Sequence, residues 1–518
     1  MSEITSLNFA DFRSLIKKFG LEKTWINVLA THISSNPKFE YILNSPEFKG
    51  FKLLKKDLIK NLTIGEVSVL YEFSVSFKNN KSRKSNGQFF TPDDVSKFMA
   101  NFSHNFPNGK WMDPCSGIGN LSWHLINTQK DSEKFLSHSI ILSDKDSLAL
   151  LIARTLLTIS FQKYTKNLFN TIKPNFIKFD FLSVAENKYN KKGLDAIPKH
   201  DFVIVNPPYL AITADDRFET AKSADLYAYF LENIIKTSKG FISITPQSFT
   251  NANKFRSLRK LLLDSFDSLT IYNFDNVPGN IFKGIKFGSK NTNRSNSIRA
   301  AITLAVPGKG KRQITSLIRW KSNERSQLFS CAEKLLSDVA LSEDFFPKVE
   351  KDFKNLFDET RHFVTLKDIC TEKVTKYPLF IPSSPRYFIV ALKNKVKRSS
   401  QKTIYFVNAN DRNYAYLLIN SSFMYWWWRV RDGGMTLSME TIFSLPCPAF
   451  KIDNKIIDQL EESEKTNKVY KQNAGAKQEN VKHTRDLLNK LNKLVTPRYY
   501  QKLIELHDNS DIEQLITK

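Results

Sequence analysis

A chain of 518 residues, 41% apolar and 13% aromatic, has material for several buried cores, which excludes a disordered tail or a collagen-like repeat. Its 77 lysines and arginines against 52 acids leave a formal charge of +25, which points to a polyanionic partner, with a solvated basic surface as the plainer alternative. Four scattered cysteines, Cys115, Cys331, Cys370 and Cys447, have neither disulfide nor zinc spacing and are expected to be reduced thiols of a cytoplasmic protein.

The opening MSEITSLNFADF has no charged start followed by an apolar run, and no apolar stretch reaches about 18 residues, so neither export nor a membrane span is predicted. Residues 1–82 read as a helical segment: NFADFRSLIKKF, TWINVLATHI and GEVSVLYEFSVSF space their apolar residues by three to four, and the basic run KNNKSRKSNG closes the pattern. From 83 to 306, apolar strands alternate with amphipathic helices. KWMDP, SIILSD, NFIKFD, DFVIVN, GFISIT, LTIYNF and SIRAAITLAV are seven candidate strands, and their alternation predicts a doubly wound, mostly parallel α/β sheet. DLYAYFLENIIK puts Leu226, Phe230 and Ile234 on one face, as a crossover helix requires. Residues 307–452 are less regular and read as a mixed domain, with a basic entry GKGKRQ and the aromatic patch FMYWWWRVR. Residues 453–518 return to polar helices and read as a helical tail.

Chemistry-bearing residues fall at the carboxyl ends of consecutive strands, where open α/β sheets bind ligands. The first strand runs into MDPCSGIGNL, whose Gly117 and Gly119 permit close approach of backbone to a ligand. The second ends at Asp144, a carboxylate suited to a vicinal diol, with Asp146 as competitor. The third ends at Asp180 and Phe181, an acceptor for an exocyclic amine and an apolar face for a purine. A cap or a turn is the bland reading of each one singly.

The fourth strand stops at Asn206-Pro207-Pro208-Tyr209. The prolines end the ladder, and they also fix two acceptors, the Asn206 side-chain carbonyl and the Pro207 main-chain carbonyl. An adenine amino group has its lone pair drawn into the ring and is a poor nucleophile, so it needs such acceptors. Tyr209 offers a flat ring on which an extruded base could stack, and Pro208 a rigid support.

The ordered set DPCSGIG, SDKD, FDFLS and NPPY, preceded by GQFFTPDDVSKFM, resembles the S-adenosylmethionine-dependent N6-adenine DNA methyltransferases of the gamma arrangement, in which cofactor motifs precede the target-recognition region. The resemblance spans about Gly87 to Val306. It implies that Asn206 and Pro207 accept from the adenine amine while Tyr209 stacks; that Asp113, Gly117 and Gly119 line the cofactor; that Asp144 binds its ribose, Asp180 and Phe181 its adenine, and Gln88, Phe90 and Thr91 lie near its methionine part. NVPGNIFKGIKFGSKNTN resembles the loop whose aromatic residue covers the other face of a flipped adenine. That residue would be Phe282, with Phe274 and Phe287 close by.

It also implies a site-specific methyltransferase of a restriction-modification system in a bacterial or phage-like setting, acting on double-stranded DNA with no metal, 307–452 reading the target. A cognate restriction endonuclease would be a further partner. Lys376, Arg386, Lys393, Lys395, Lys397 and Arg398 are candidate phosphate contacts, and Tyr425, Trp426, Trp427, Trp428 and Arg429 stand between base stacking and core packing. Alternatives are a fused restriction and methylation enzyme, an RNA adenine or a protein glutamine methyltransferase, and a non-catalytic DNA-binding subunit.

Overall fold

The computed structural model describes residues 6–79, 91–183, 191–282, 286–287, 290–291, 298–384, 388–398, 400–434, 436–473, 476–508 and 510–516. The chain forms two compact units, Met1–Arg312 with Ser342–Asp344, and Gln313–Leu341 with Phe345–Lys518.

In the first unit the leading helices are α1 (Ser6–Phe19), α2 (Leu21–Ser34) and α3 (Ile64–Asn79). Gly20 joins the first two at φ 77°, a backbone angle that a side chain would strain. Phe12, Trp25, Val28, Leu29, Ile33 and Leu70 of these helices are buried together with Ile152 and Leu156 of α7 (Ser147–Phe161). The helical segment therefore shares one hydrophobic core with the α/β region. An ion pair reinforces the join: Arg154 of α7 meets Glu47 at 2.8 Å.

All seven strands read from the sequence form: β1 (Trp111–Asp113), β2 (Ile140–Asp144), β3 (Phe176–Lys178), β4 (Phe202–Val205), β5 (Gly240–Pro246), β6 (Ser268–Phe274) and β7 (Ala300–Val306). Their order is β3-β2-β1-β4-β5-β7-β6. β1 to β5 pair in parallel, while β7 lies antiparallel between β5 and β6. β1 and β4 are wholly buried, as strands covered by helices on both faces must be. The chain builds outward from β1 through β2 to β3, then returns to lay β4 on the other side of β1. The switch point where α/β sheets take their ligands thus lies between the ends of β1 and β4. Around the sheet lie α4 (Asp93–Asn101), α5 (Asn120–Asn127), α6 (Ser132–His138), α8 (Leu168–Thr171), α9 (Leu226–Thr237) and α10 (Arg256–Ser265). Phe230 and Ile234 of α9 are buried against it.

In the second unit β8 (Arg312–Ile318) pairs antiparallel with β9 (Leu336–Ser337), and β10 (Pro378–Pro382) with β11 (Gln401–Tyr405). The core is built on helices Ala409–Asn420 and Ser422–Arg431. Trp426, Trp427 and Trp428 are at most 6% exposed, and their indole N–H groups donate to Glu350, Ser444 and the Thr436 carbonyl. Three consecutive helical residues point in three directions, so burial of all three means that this helix is enclosed on most sides.

The tail has its expected helices, Asn454–Thr466, Arg485–Val495 and Tyr500–Glu505. Between the first two, however, stands an antiparallel hairpin of β12 (Lys468–Asn473) and β13 (Ala476–Val481). Val469 and Tyr470 favour extended chain, and the glycine between the strands favours a turn, which together override the polar, helix-compatible composition. Among the described residues no helix is long and apolar enough to cross a membrane.

Candidate active site

The carboxyl ends of β1, β2 and β4 bring together the glycine loop, Asp144 and the NPPY stretch. Gly117 and Gly119 have φ of 52° and 84°. A Cβ on Gly117 would meet nothing within 4 Å, so there is open room over the loop, whereas one on Gly119 would touch Ala153 at 3.3 Å. The Asp144 carboxylate accepts from Gly117 N–H at 2.8 Å and from Asp146 N–H at 3.0 Å. Burial raises its pKa, and these two amides oppose the shift. Each oxygen keeps a second lone pair for a hydroxyl.

Asp146 is committed elsewhere. It caps α7 and accepts from the Tyr71 hydroxyl, which leaves Asp144 as the carboxylate at the strand end. Asp113, 2% exposed, accepts from the Ser122 hydroxyl of α5 at 2.9 Å, and burial pushes its pKa up to about 7. Asp180 accepts from Leu182 N–H at 3.1 Å and pairs with Lys145 at 2.8 Å. The ring of Phe181 is 1% exposed and stacks on Phe230 of α9 at 5.4 Å.

Asn206 is the first residue beyond β4, and both ends of its side-chain amide are engaged. Its Nδ2 donates to Thr91 Oγ1 at 2.7 Å, and its Oδ1 lies 2.6 Å from the Tyr209 hydroxyl. That hydroxyl also lies 2.8 Å from the Ile244 carbonyl of β5, so its single hydrogen sits between two carbonyl acceptors. The two contacts hold the plane of the amide, one at each end. The Asn206 main-chain carbonyl accepts from the Cys115 thiol at 3.3 Å, tying the NPPY stretch to the glycine loop. Burial raises the pKa of both Tyr209 and Cys115, so both stay protonated and neutral. Asn120, directly after Gly119, donates from Nδ2 to the Thr91 carbonyl at 2.7 Å and to Ser96 at 3.1 Å, which holds Thr91 in place.

The Phe282 ring is 2% exposed and meets Tyr209 edge-on, centroids 6.1 Å apart at 66°. Its N–H donates to Asn280 Oδ1 at 2.8 Å. Upstream, Asp275 is paired with Arg299 at 2.8 Å. Phe274 lies within β6 and is fully buried. Gln88 and Phe90 lie outside the described residues, as do Arg386 and the side chain of Phe287. Cys115, Asn120 and Ser122 join the site without being among the site residues singled out from the sequence. Their place directly around the two glycines was the available signal.

Residues 138–282 match the family model described as Eco57I restriction-modification methylase. Among curated proteins, the chain is 26% identical over 221 residues to the type II methyltransferase M.PstI of Providencia stuartii, which covers 40% of this chain and 42% of that protein. It is 27% identical over 197 residues to M.BsuBI of Bacillus subtilis, covering 36% and 38%. The chain thus spans about two fifths of the length of these curated relatives. Among solved structures, the type IIG restriction endonuclease BpuSI is 12% identical with a TM-score of 0.41, over 96% of this chain and 77% of that one. The strand order and the methylase match imply S-adenosylmethionine as methyl donor. The donor set fits it: an open glycine loop beside a half-buried carboxylate with lone pairs to spare for a ribose diol. Among the described residues no group of three or more His, Cys, Asp or Glu side chains is placed to hold a metal ion.

Proposed function

From the methylase match over residues 138–282, we propose that the chain is a site-specific DNA adenine N6-methyltransferase, the modification enzyme of a restriction-modification system, acting on a base flipped out of double-stranded DNA. The observation that carries this reading is the Asn206 amide, held by Thr91 and Tyr209 at the sheet's switch point, beside the open glycine loop. S-adenosylmethionine, when bound, supplies an electrophilic sulfonium methyl. Asp144 would take its ribose hydroxyls, Gly117, Gly119 and Asp113 would line it, Asp180 and Phe181 would sit at its adenine, and Gln88, Phe90 and Thr91 near its methionine part.

The residues of the chain then prepare the nucleophile. Asn206 Oδ1 and the Pro207 carbonyl accept the two amine hydrogens of the target base, with Pro208 holding the turn rigid. This draws electron density back onto nitrogen and stabilises the positive charge that grows there as the methyl arrives. Because Tyr209 and Cys115 stay neutral, that charge is met by fixed dipoles. Tyr209 gives the base a face to stack on, and Phe282 covers the other side once the edge-on pair opens. A cytoplasmic setting and a nuclease of the same specificity complete the proposal.

The test is tritiated methyl transfer by wild type and Asn206→Ala to duplex DNA, RNA and a peptide-chain release factor. DNA alone should be labelled, at N6 of adenine, and the variant should lose about a hundredfold or more. Labelling of RNA or of glutamine, or a variant that turns over like wild type, would overturn the assignment.

A further inference from the structure

The hairpin of β12 and β13 lies outside the stretch that the sequence marks for target recognition, and exposed lysines stand beside it. Its base is joined to the segment 393–398: Glu479 N–H donates to the Lys397 carbonyl at 3.0 Å, and Arg398 reaches Asn480 at 3.4 Å. Below them Val481 packs with Val390 and Leu392 in a small apolar cluster. Ribbon and segment are therefore joined through backbone, side chain and a shared apolar cluster. Segment 393–398 holds four basic residues and 468–482 another four; Lys393 is paired with Glu461 and Lys468 with Glu479. Lys395, Lys397 and Lys482 are exposed, and Tyr470, a large ring, is 53% exposed on the ribbon.

We infer that this ribbon enters the major groove of duplex DNA, with Lys395, Lys397 and Lys482 on the flanking phosphates and the face that carries Tyr470 toward the bases. The inference rests on the proposed DNA methyltransferase reading. Two strands about 4.8 Å apart, with their side chains, fit a groove about 12 Å wide, and six residues per strand at about 3.3 Å each exceed its depth of about 8.5 Å. The density of positive charge selects a polyanion, and the ribbon shape selects the duplex form. Lysines on a hairpin also keep its edges from pairing with other chains, and the test separates that role from DNA binding.

Two variants of the full chain are compared with wild type: Lys395→Gln with Lys397→Gln and Lys482→Gln, and Tyr470→Ala alone. Affinity for a random-sequence 30-base-pair duplex is followed against salt, and methylated positions are mapped on a plasmid of known sequence. The lysine variant should bind about tenfold or more weakly at 150 mM salt, with the salt slope falling by about two to three. The ribbon variant should keep that slope and methylate additional sites. Unchanged slope, affinity and site choice in both variants, with cofactor binding intact, would overturn the inference and leave the methyltransferase reading standing. A wild-type chain that neither binds nor methylates DNA would overturn that reading first.

Discussion

The surroundings of Asn206 and the core of the second unit handle charge differently. Around Asn206 the groups that would face the reacting amine are neutral: a carboxamide, a phenol and a thiol, each held by hydrogen bonds. The second unit instead buries an ionic cluster. Arg429 is wholly buried 3.4 Å from both Glu350 and Asp511, and donates to the Leu317 carbonyl at 3.0 Å. Fixed dipoles need no reorganisation when charge develops, which suits chemistry. A buried ion pair costs desolvation on both sides and tolerates the loss of neither partner, which suits a unit whose shape must be unique.

That difference can be broken from either side. Arg429→Ala should have the largest effect on stability, about 3–5 kcal/mol, because two carboxylates are left buried without a cation. Urea denaturation followed by tryptophan emission measures it, and a loss under 1 kcal/mol would mean that water reaches the cluster.

The first unit's own ionic tie is smaller. Partial burial would raise the Glu47 pKa, but hydrogen bonds from Arg154 and Lys173 hold it down to about 2. The carboxylate is favoured in the folded state, so its stabilisation is complete above about pH 4.5 and fades as pH falls through 2. Glu47→Gln should therefore cost about 2 kcal/mol at pH 7, with most of that difference gone by pH 2. Parallel stability curves of the two proteins across that range would refute it.

Smaller still, Asp144→Asn should weaken S-adenosylmethionine about tenfold by calorimetry if Asp144 takes the ribose diol as proposed, since the amide keeps one acceptor for Gly117 but loses the charge. Thr91→Val frees one end of the Asn206 amide and should lower kcat about threefold to tenfold, with cofactor affinity little changed. A fall in affinity instead would assign Thr91 to the donor rather than to the acceptor.

The sheet was legible because its signals are local. Seven apolar runs, two glycines after β1 and two prolines after β4 each impose a structure on their own neighbours. What could not be read depends on residues far apart in the chain. Thr91 meets Asn206 across 115 residues, and no periodicity announces it. The helical segment looked separable because its pattern ends in a basic run, yet Trp25 shares a core with Leu156. The tryptophan run allows both stacking and packing, and burial of all three rings in one enclosed helix decides for packing. The hairpin was missed because its polar composition resembles that of the helices around it, and only the Val469-Tyr470 pair and one glycine argue otherwise.

The core shared by the leading helices and α7 bears on how the protein is made. Trp25, Val28 and Ile33 leave the ribosome more than a hundred residues before Ile152 and Leu156, their partners. At ordinary elongation rates this apolar face waits on the order of ten seconds for its cover. Closing so long a loop also slows the search for native contacts. The part of α2 that meets α7 thus stays uncovered until the strand bearing Asp144 and the helix behind it arrive.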